Sequence, residues 1–297
     1  MDSTMSNNMR VGVAGLGKMG SVLARNWLSH GYQVAVWNRS PEAMAELAKA
    51  GATPYSSLES MVGAVDCVVT MLWDDDVARA ITLARVIPAA TASSILVEMS
   101  TLSPQMYSTL EAAARERGVR FVAAPVLGSV DQVRLGTETV LTGGDGPTIE
   151  LLRPLLACLG TVLLTGSAAA SGFLKLANNV VLGIFAEAEA ELLELCARGG
   201  LDRHLAVESI SGAFERAARS KVQQILDDDE RPRFSLDALL KDLQLASHAA
   251  DSVNAPITLL QCVLPRFREA TERGFGNRDY IALTLERSRV VAPVGGT

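Results

Sequence analysis

The sequence predicts an α/β domain with a parallel-sheet core followed by an all-α domain, on three observations. From Arg10 onward, apolar runs rich in Val and Ile alternate with Ala/Leu/Glu/Arg segments of helical period, which is the pattern of βαβ units. A glycine-rich turn joins the first such run to the first helical segment. After Gly166 the alternation stops and no convincing strand follows.

Each element has its own signal. Strands are expected at Val11–Ala14, Gln33–Trp37, Cys67–Leu72, Ile95–Glu98, Val119–Ala123, Thr137–Thr142 and Thr161–Leu164. Ser40-Pro41 and Ser103-Pro104 each have the order of a helix cap and a first helical residue. A further helix is expected near Pro147–Cys158. Beyond Gly166, Leu174, Ala177, Val181, Ile184, Ala188 and Leu192 recur at mixed helical steps, predicting a long helix over Ser171–Arg198 that Gly199-Gly200 ends. Later helices are expected to run from about Asp202, Ser235 and Pro256. The expected organisation is a flexible tail over 1–10, a nucleotide-binding α/β domain over 11–166 and a helical domain over 167–297.

Composition excludes several classes of function. With 297 residues, 48% hydrophobic and 20% charged, the chain is globular in type and long enough to bury roughly three-quarters of its unfolded surface. The net charge of −6 leaves no basic footprint for nucleic acid, so small-molecule partners are expected. Cys67, Cys158, Cys196 and Cys262 lie far apart, with only His30, His204 and His248 as nitrogen donors, a poor basis for a disulfide scaffold or zinc site. Met1–Arg10 is polar and lacks the apolar core of a signal peptide, so a cytoplasmic location is expected. The uncharged stretch from Pro154 to Leu174 is broken by Pro, Gly, Ser and Thr, which argues against a membrane span. Asp74-Asp75-Asp76 reads as a helix start and Asp227-Asp228-Asp229-Glu230 as a solvated loop, neither as a metal site.

Gly15-Leu16-Gly17-Lys18-Met19-Gly20 fits G-x-G-x-x-G between a strand and a helix. Gly15 permits the tight turn, Gly17 lets a pyrophosphate approach bare backbone, and Gly20 lets helix and strand pack closely. The helix N-terminus then offers free N–H groups and a positive dipole end to the anion. An NAD-preferring site places an acid at the end of the second strand, about 20 residues on; here stand Asn38, Arg39 and Ser40. The missing carboxylate and the added guanidinium, which can pair with a 2′-phosphate, favour NADP(H) over NAD(H).

Four stretches together resemble the β-hydroxyacid dehydrogenase family, whose members include 3-hydroxyisobutyrate dehydrogenase and semialdehyde reductases. They are the glycine turn with Trp37-Asn38-Arg39-Ser40, then Met99-Ser100-Thr101, Gly172-Phe173-Leu174-Lys175-Leu176-Ala177-Asn178-Asn179, and Lys241-Asp242-Leu243. The resemblance implies a Rossmann domain, a helical domain, substrate bound between them, and a homodimer. It also implies that Lys175 is the general acid/base, with Asn179 one helical turn on as its partner. Thr101 matches a position beside the nicotinamide, and Met71 and Leu72 lie towards the adenosine side, with Trp73 where relatives usually have Pro. Phe234, Lys241 and Asp242 match positions of the helical domain that line the cleft, Lys241 towards the cofactor and the other two towards substrate.

The departure is in Phe121-Val122-Ala123-Ala124-Pro125-Val126-Leu127-Gly128-Ser129, where relatives usually read Asp-Ala-Pro-Val-Ser-Gly-Gly or Ser-Gly-Ser. Ala123 replaces the acid, and Leu127 replaces the serine that helps to hold a substrate carboxylate. Val126, Leu127, Gly128 and Ser129 are therefore expected to form a non-standard substrate loop in which Gly128 and Ser129 supply the polar groups. A larger, less acidic or nonpolar substrate becomes credible. The expected activity is hydride transfer between nicotinamide and a small carbonyl/alcohol pair. The alternatives are an imine reductase-like enzyme, which retention of Lys175 opposes, and a noncatalytic NADPH-binding regulatory module.

Overall fold

A computed structural model describes residues 9–290 of the chain. Eight strands form one sheet in the order β3-β2-β1-β4-β5-β6-β7-β8. They are β1 Arg10–Ala14, β2 Gln33–Trp37, β3 Thr53–Pro54, β4 Cys67–Thr70, β5 Ile95–Glu98, β6 Arg120–Ala123, β7 Glu138–Gly144 and β8 Gly160–Gly166. All pairings are parallel except that of β6 with β7. The chain is thus a Rossmann α/β domain followed by helices, as the alternation of Val/Ile runs and helical segments predicts.

The central strands are apolar on both faces because helices cover both. Val11, Val13, Val34 and Val36 belong to one buried cluster with Leu23 and Trp27 of the helix Lys18–Ser29 and with Leu152 and Leu155 of the helix Gly146–Ala157. The Trp27 indole N–H donates to the Leu155 carbonyl at 2.9 Å, so the largest side chain of this layer buries its area without losing its hydrogen bond. Val68, Leu96 and Phe121 face the opposite layer, which holds Met61, Met106 and Tyr107. Fully burying such a side chain stabilises the fold by about 1.5–3 kcal/mol.

Several expectations shift by a residue or two, and three are corrected. Met9 packs against the core and Arg10 opens β1. The Arg10 guanidinium bonds both carboxylate oxygens of Asp66 at 3.2 and 2.8 Å, so these residues belong to the sheet and not to a tail. Residues 1–8 of the expected tail lie outside the described residues. Ser103 caps the helix Pro104–Glu116 through Met106 N–H, but Ser40 caps nothing. Pro41, in α-helical conformation, takes the cap position before Glu42–Lys49, while the Ser40 carbonyl accepts from the Asn38 side chain. Asp74 caps the helical run that begins at Asp75, and Asp75 accepts from Ser103 N–H and hydroxyl. Asp229 and Glu230 are only partly exposed and pair with Arg231 and Arg278, so that loop is anchored and not simply solvated.

The chain divides into two compact units after Val180. β8 ends at Gly166, yet the long helix Ala168–Arg198 begins inside the first unit: Ala168 joins the Tyr107 cluster, and the Ser171 and Thr165 hydroxyls bond at 2.6 Å. The second unit holds the rest of that helix with Arg203–Leu226, Leu236–Ser252, Thr258–Glu272 and Ala282–Val290. The caps Asp202 and Ser235 lie where the sequence expects helix starts. Glu191 accepts from Leu259 N–H with both oxygens and so satisfies the start of Thr258–Glu272. No helix among the described residues is long and apolar enough to cross a membrane.

Candidate active site

At the C-terminal end of β1 the chain turns sharply through Gly15, whose φ of +97° favours glycine. A Cβ there would strike the Met71 carbonyl, and one on Gly20 would strike the Gly15 carbonyl. Gly17 stands at the start of the helix Lys18–Ser29 with no side chain capping it, and no protein atom lies within 4 Å of where its Cβ would be. The first N–H groups of that helix are therefore open to an anion.

The loop after β2 is fastened to this turn. Asn38 Oδ1 accepts from Leu16 N–H and Asn38 Nδ2 donates to the Ser40 carbonyl, both at 3.0 Å. Gly15 to Gly20, Asn38, Arg39, Ser40, Met71 and Leu72 line one groove of about 630 Å³, together with Trp37, Trp73, Val77 and Ile81. Arg39 is exposed and makes no ion pair with a described residue. A capless helix start, a bare Gly17 and an apolar slot beside an uncommitted guanidinium fit the phosphates and flat ring of a dinucleotide.

A smaller cavity of about 160 Å³ shares Met19, Met71, Leu72 and Trp73 with the groove and adds Met99, Thr101, Val126, Gly128 and Lys175. Three residues expected from separate motifs, Thr101, Gly128 and Lys175, therefore meet around one space. Lys175 is half-buried, and burial lowers its pKa below the ordinary lysine value against the opposing pull of Glu138. Desolvation makes the ammonium a readier proton donor than it would be in water. Asn179 is exposed and its side chain makes no hydrogen bond to a described residue.

Behind these walls lies a carboxylate that the sequence does not advertise. Glu98 is fully buried at the end of β5 and accepts from the Thr70 hydroxyl at 2.7 Å, the Thr82 hydroxyl at 3.1 Å, Ser100 N–H at 3.1 Å and the Ser100 hydroxyl. Ser100 Oγ in turn accepts from Leu72 N–H at 2.7 Å, and the Tyr107 hydroxyl donates to the Ser100 carbonyl at 2.5 Å. This network fixes the segments that carry Leu72 and Thr101. Thr82 reaches Glu98 from the π-helical stretch Arg79–Val86, which also supplies Ile81 to the groove.

The substrate loop is only partly as expected. Val126 bridges to Val140, and Leu127 N–H donates to the Thr139 carbonyl at 2.8 Å. Ser129 was expected to offer a free N–H, but that group donates to Gln132 Oε1 at 3.0 Å, while Ser129 Oγ accepts from Gln132 N–H. This capping box starts the helix Val130–Leu135 and commits the Ser129 N–H as donor and its hydroxyl oxygen as acceptor. Val126 and Gly128 line the small cavity; Leu127 and Ser129 do not. In the helical unit, Phe234 meets Tyr280 edge to face at 6.2 Å, and Lys241 pairs with its neighbour Asp242 at 2.9 Å on the exposed surface. Trp73, 87% exposed, lines both cavities; only its substitution for Pro marks it in the sequence.

Residues 10–168 match the family described as the NAD binding domain of 6-phosphogluconate dehydrogenase. Residues 169–285 match that described as the NAD-binding domain of NADP-dependent 3-hydroxyisobutyrate dehydrogenase. The chain is similar, at 30% identity, to the uncharacterized oxidoreductase YfjR of Bacillus subtilis (strain 168), over 93% of this chain and 98% of that one. At 28% identity it is similar to mitochondrial 3-hydroxyisobutyrate dehydrogenase of Drosophila melanogaster, over 94% of this chain and 89% of that one. It is also 28% identical to 3-sulfolactaldehyde reductase of Escherichia coli (strain K12), over 94% of this chain and 95% of that one. Its fold is shared with an imine reductase from Myxococcus stipitatus in complex with NADP+, at a TM-score of 0.84 and 21% identity over 93% of this chain and 98% of that one. The chain is an NAD(P)-binding oxidoreductase of hydroxyl and carbonyl groups, and it belongs to the β-hydroxyacid dehydrogenase family.

Proposed function

We propose that the chain is an NADPH-preferring oxidoreductase that interconverts a small carbonyl compound and its alcohol, with Lys175 carrying the proton. Lys175 itself carries this reading: its amine is desolvated at the cavity it shares with Thr101, and that cavity is continuous in its lining with the nucleotide groove. A reduced nicotinamide, when bound, would supply the hydride. As negative charge builds on the substrate oxygen, the Lys175 ammonium stabilises it and gives up its proton; in oxidation the neutral amine takes the proton back. Thr101, which lines the same cavity as Lys175, would orient a bound ring and substrate, and Asn179 is assigned to the substrate hydroxyl. Preference for NADPH is supported by the absence of a carboxylate at Asn38, whose amide is committed to Leu16 and Ser40, and by Arg39, which makes no ion pair with a described residue.

The substrate is one poor in negative charge. Leu127 offers no hydroxyl and the Ser129 N–H is committed to Gln132, which weakens recognition of a carboxylate. The same observation favours a second reading, reduction of a neutral or cationic imine. Parallel assays of aldehydes, 3-hydroxyacids and cyclic imines with NADPH and NADH separate the two. A protein inert to the whole panel would instead be a noncatalytic NADPH-binding module. Lys175→Ala and Lys175→Met are expected to lower turnover at least about a hundredfold with NADPH affinity unchanged; near-normal turnover overturns the role of Lys175. Exposed Val181, Leu182 and Ile184 on the long helix support a homodimer, checked by light scattering.

A further inference from the structure

A second buried carboxylate stands beside Gly128, a residue of the small cavity's lining, without a use in the chemistry above. Glu138, the first residue of β7, is 1% exposed. Its Oε1 accepts from Thr139 N–H at 2.9 Å, but its Oε2 is buried with no hydrogen-bond partner. Native interiors leave few such oxygens, because removing a charged acceptor from water without a donor is costly.

The place of this oxygen is defined through Gly128. That glycine lines the cavity with Lys175, and a Cβ on it would lie 2.7 Å from each carboxylate oxygen of Glu138. Only a hydrogen at Gly128 therefore separates the carboxylate from the loop that borders Lys175. No hydrogen bond or ion pair joins Glu138 to Lys175 in this structure; burial pushes the Glu138 carboxyl above and the Lys175 amine below their ordinary values, and the charge of each opposes that shift in the other. The remaining lining from Met19, Met71, Leu72, Trp73, Met99, Thr101 and Val126 is uncharged, as are Gln132 and Thr139 beside Glu138. Glu98, the other buried carboxylate near Thr101, is already engaged by Thr70, Thr82 and Ser100.

We propose that Glu138 is a positioning residue, its unpartnered oxygen beside Gly128 carrying the charge that favours the ammonium form of Lys175 at the cavity. This rests on Lys175 as the proton carrier. Burial alone favours the neutral amine, which cannot donate in reduction; the Glu138 charge works against burial and favours the ammonium. The same charge discourages a substrate carboxylate at Gly128, in accord with the loop's lack of a hydroxyl.

The test uses Glu138→Gln, close in shape but uncharged, and Lys175→Met. In the protein without nucleotide, the Glu138 carboxyl carbon is titrated by 13C NMR after glutamate labelling. Coupling is reciprocal, so removing the ammonium in Lys175→Met is expected to raise the pH at which Glu138 takes up its proton by on the order of one unit. In reduction assays, Glu138→Gln is expected to move the alkaline limb of the kcat profile to lower pH by a similar amount, with turnover largely kept on its acid side. An unmoved Glu138 titration in Lys175→Met, or an unmoved limb in folded Glu138→Gln, overturns the proposal. The NMR arm decides if Glu138→Gln does not fold, since Lys175 lies on a partly exposed helix face. Normal turnover of Lys175→Met overturns the proton carrier itself, whereas an inactive Lys175→Met with an unmoved Glu138 overturns only the positioning role.

Discussion

Asn38 Oδ1 accepts the backbone N–H of Leu16 at 3.0 Å, so the residue that follows β2 holds the middle of the glycine turn in place. The side chain of its neighbour Arg39 makes no hydrogen bond or ion pair with a described residue. Asn38→Ala is expected to loosen the turn and weaken NADPH and NADH alike, by about 1 kcal/mol, the net worth of one such bond. Arg39→Ala is expected to weaken NADPH alone, by about 1.5–3 kcal/mol, roughly 10- to 150-fold. Fluorescence titration with each nucleotide checks both. An equal loss of NADPH and NADH in Arg39→Ala would remove the basis for a 2′-phosphate contact.

Gly17 and Gly20 separate binding from folding. A methyl group on Gly20 meets the Gly15 carbonyl, whereas one on Gly17 meets no protein atom within 4 Å. Gly20→Ala is expected to cost about 1–3 kcal/mol through overpacking and to lower the melting temperature of the nucleotide-free protein. Gly17→Ala is expected to melt like the parent yet bind NADPH poorly, because its methyl group occupies the approach of the pyrophosphate. Thermal melts paired with NADPH titration decide the matter; a Gly17→Ala protein with full affinity rules out that approach.

The parts legible in the sequence are those with local signals. Val/Ile runs locate the strands because central strands are covered on both faces, and the glycine turn is legible because its strand and helix flank it in sequence. The antiparallel direction of β7 leaves no local mark, since side-chain alternation is the same in either direction, and β3 is too short to show a period. Glu98 and Glu138 escaped notice because burial and partnership depend on residues far away in sequence: Thr70 meets Glu98 across 28 positions. Ser129 misled for the opposite reason. A serine three residues before Gln132 has the spacing of a capping box, and that local signal was available to set against a role in substrate binding.

Glu98 offers a test of the network behind Leu72 and Thr101. Burial holds its carboxyl above the ordinary glutamate value, against hydrogen bonds from Ser100, Thr70 and Thr82. A folded pKa raised in this way means that the native state binds the proton more tightly than the unfolded chain. The stability it contributes is complete below the unfolded value and is lost as pH rises through the folded one. The melting temperature of the parent relative to Glu98→Gln is therefore expected to be most favourable at the acid end, near the ordinary glutamate value, and to decline towards neutral pH. Paired melts across that window check it; a parent advantage that grows with pH contradicts a raised carboxyl.

Lys221 and Asp279 form the corresponding buried pair of the helical unit. The ammonium lies 2.9 Å from both carboxylate oxygens and from Gln224 Oε1, and 4.6 Å from the centre of the Tyr280 ring. Asp279 also accepts from the N–H groups of Arg233, Phe234 and Ile281 at 2.8, 3.2 and 3.2 Å, so it anchors the segment bearing Phe234. Burial pushes the Asp279 carboxyl up, but the bonds from Lys221 and these N–H groups outweigh it and hold the pKa below the ordinary aspartate value. Lys221→Met leaves that charge buried without its partner and is expected to cost about 3–5 kcal/mol in urea unfolding. A depressed folded pKa gives stability that is present above the unfolded value and is lost as pH falls through the folded one. Once its partner is removed, Asp279 protonates at higher pH, so the deficit of Lys221→Met is expected to shrink on acidification. Adding Asp279→Asn is expected to recover part of it at neutral pH, since the charge is gone and one acceptor oxygen remains for the backbone. A deficit that stays constant with pH and is not relieved by Asp279→Asn would locate the cost in the lost packing of the Lys221 stem against Tyr280 instead of in the stranded carboxylate.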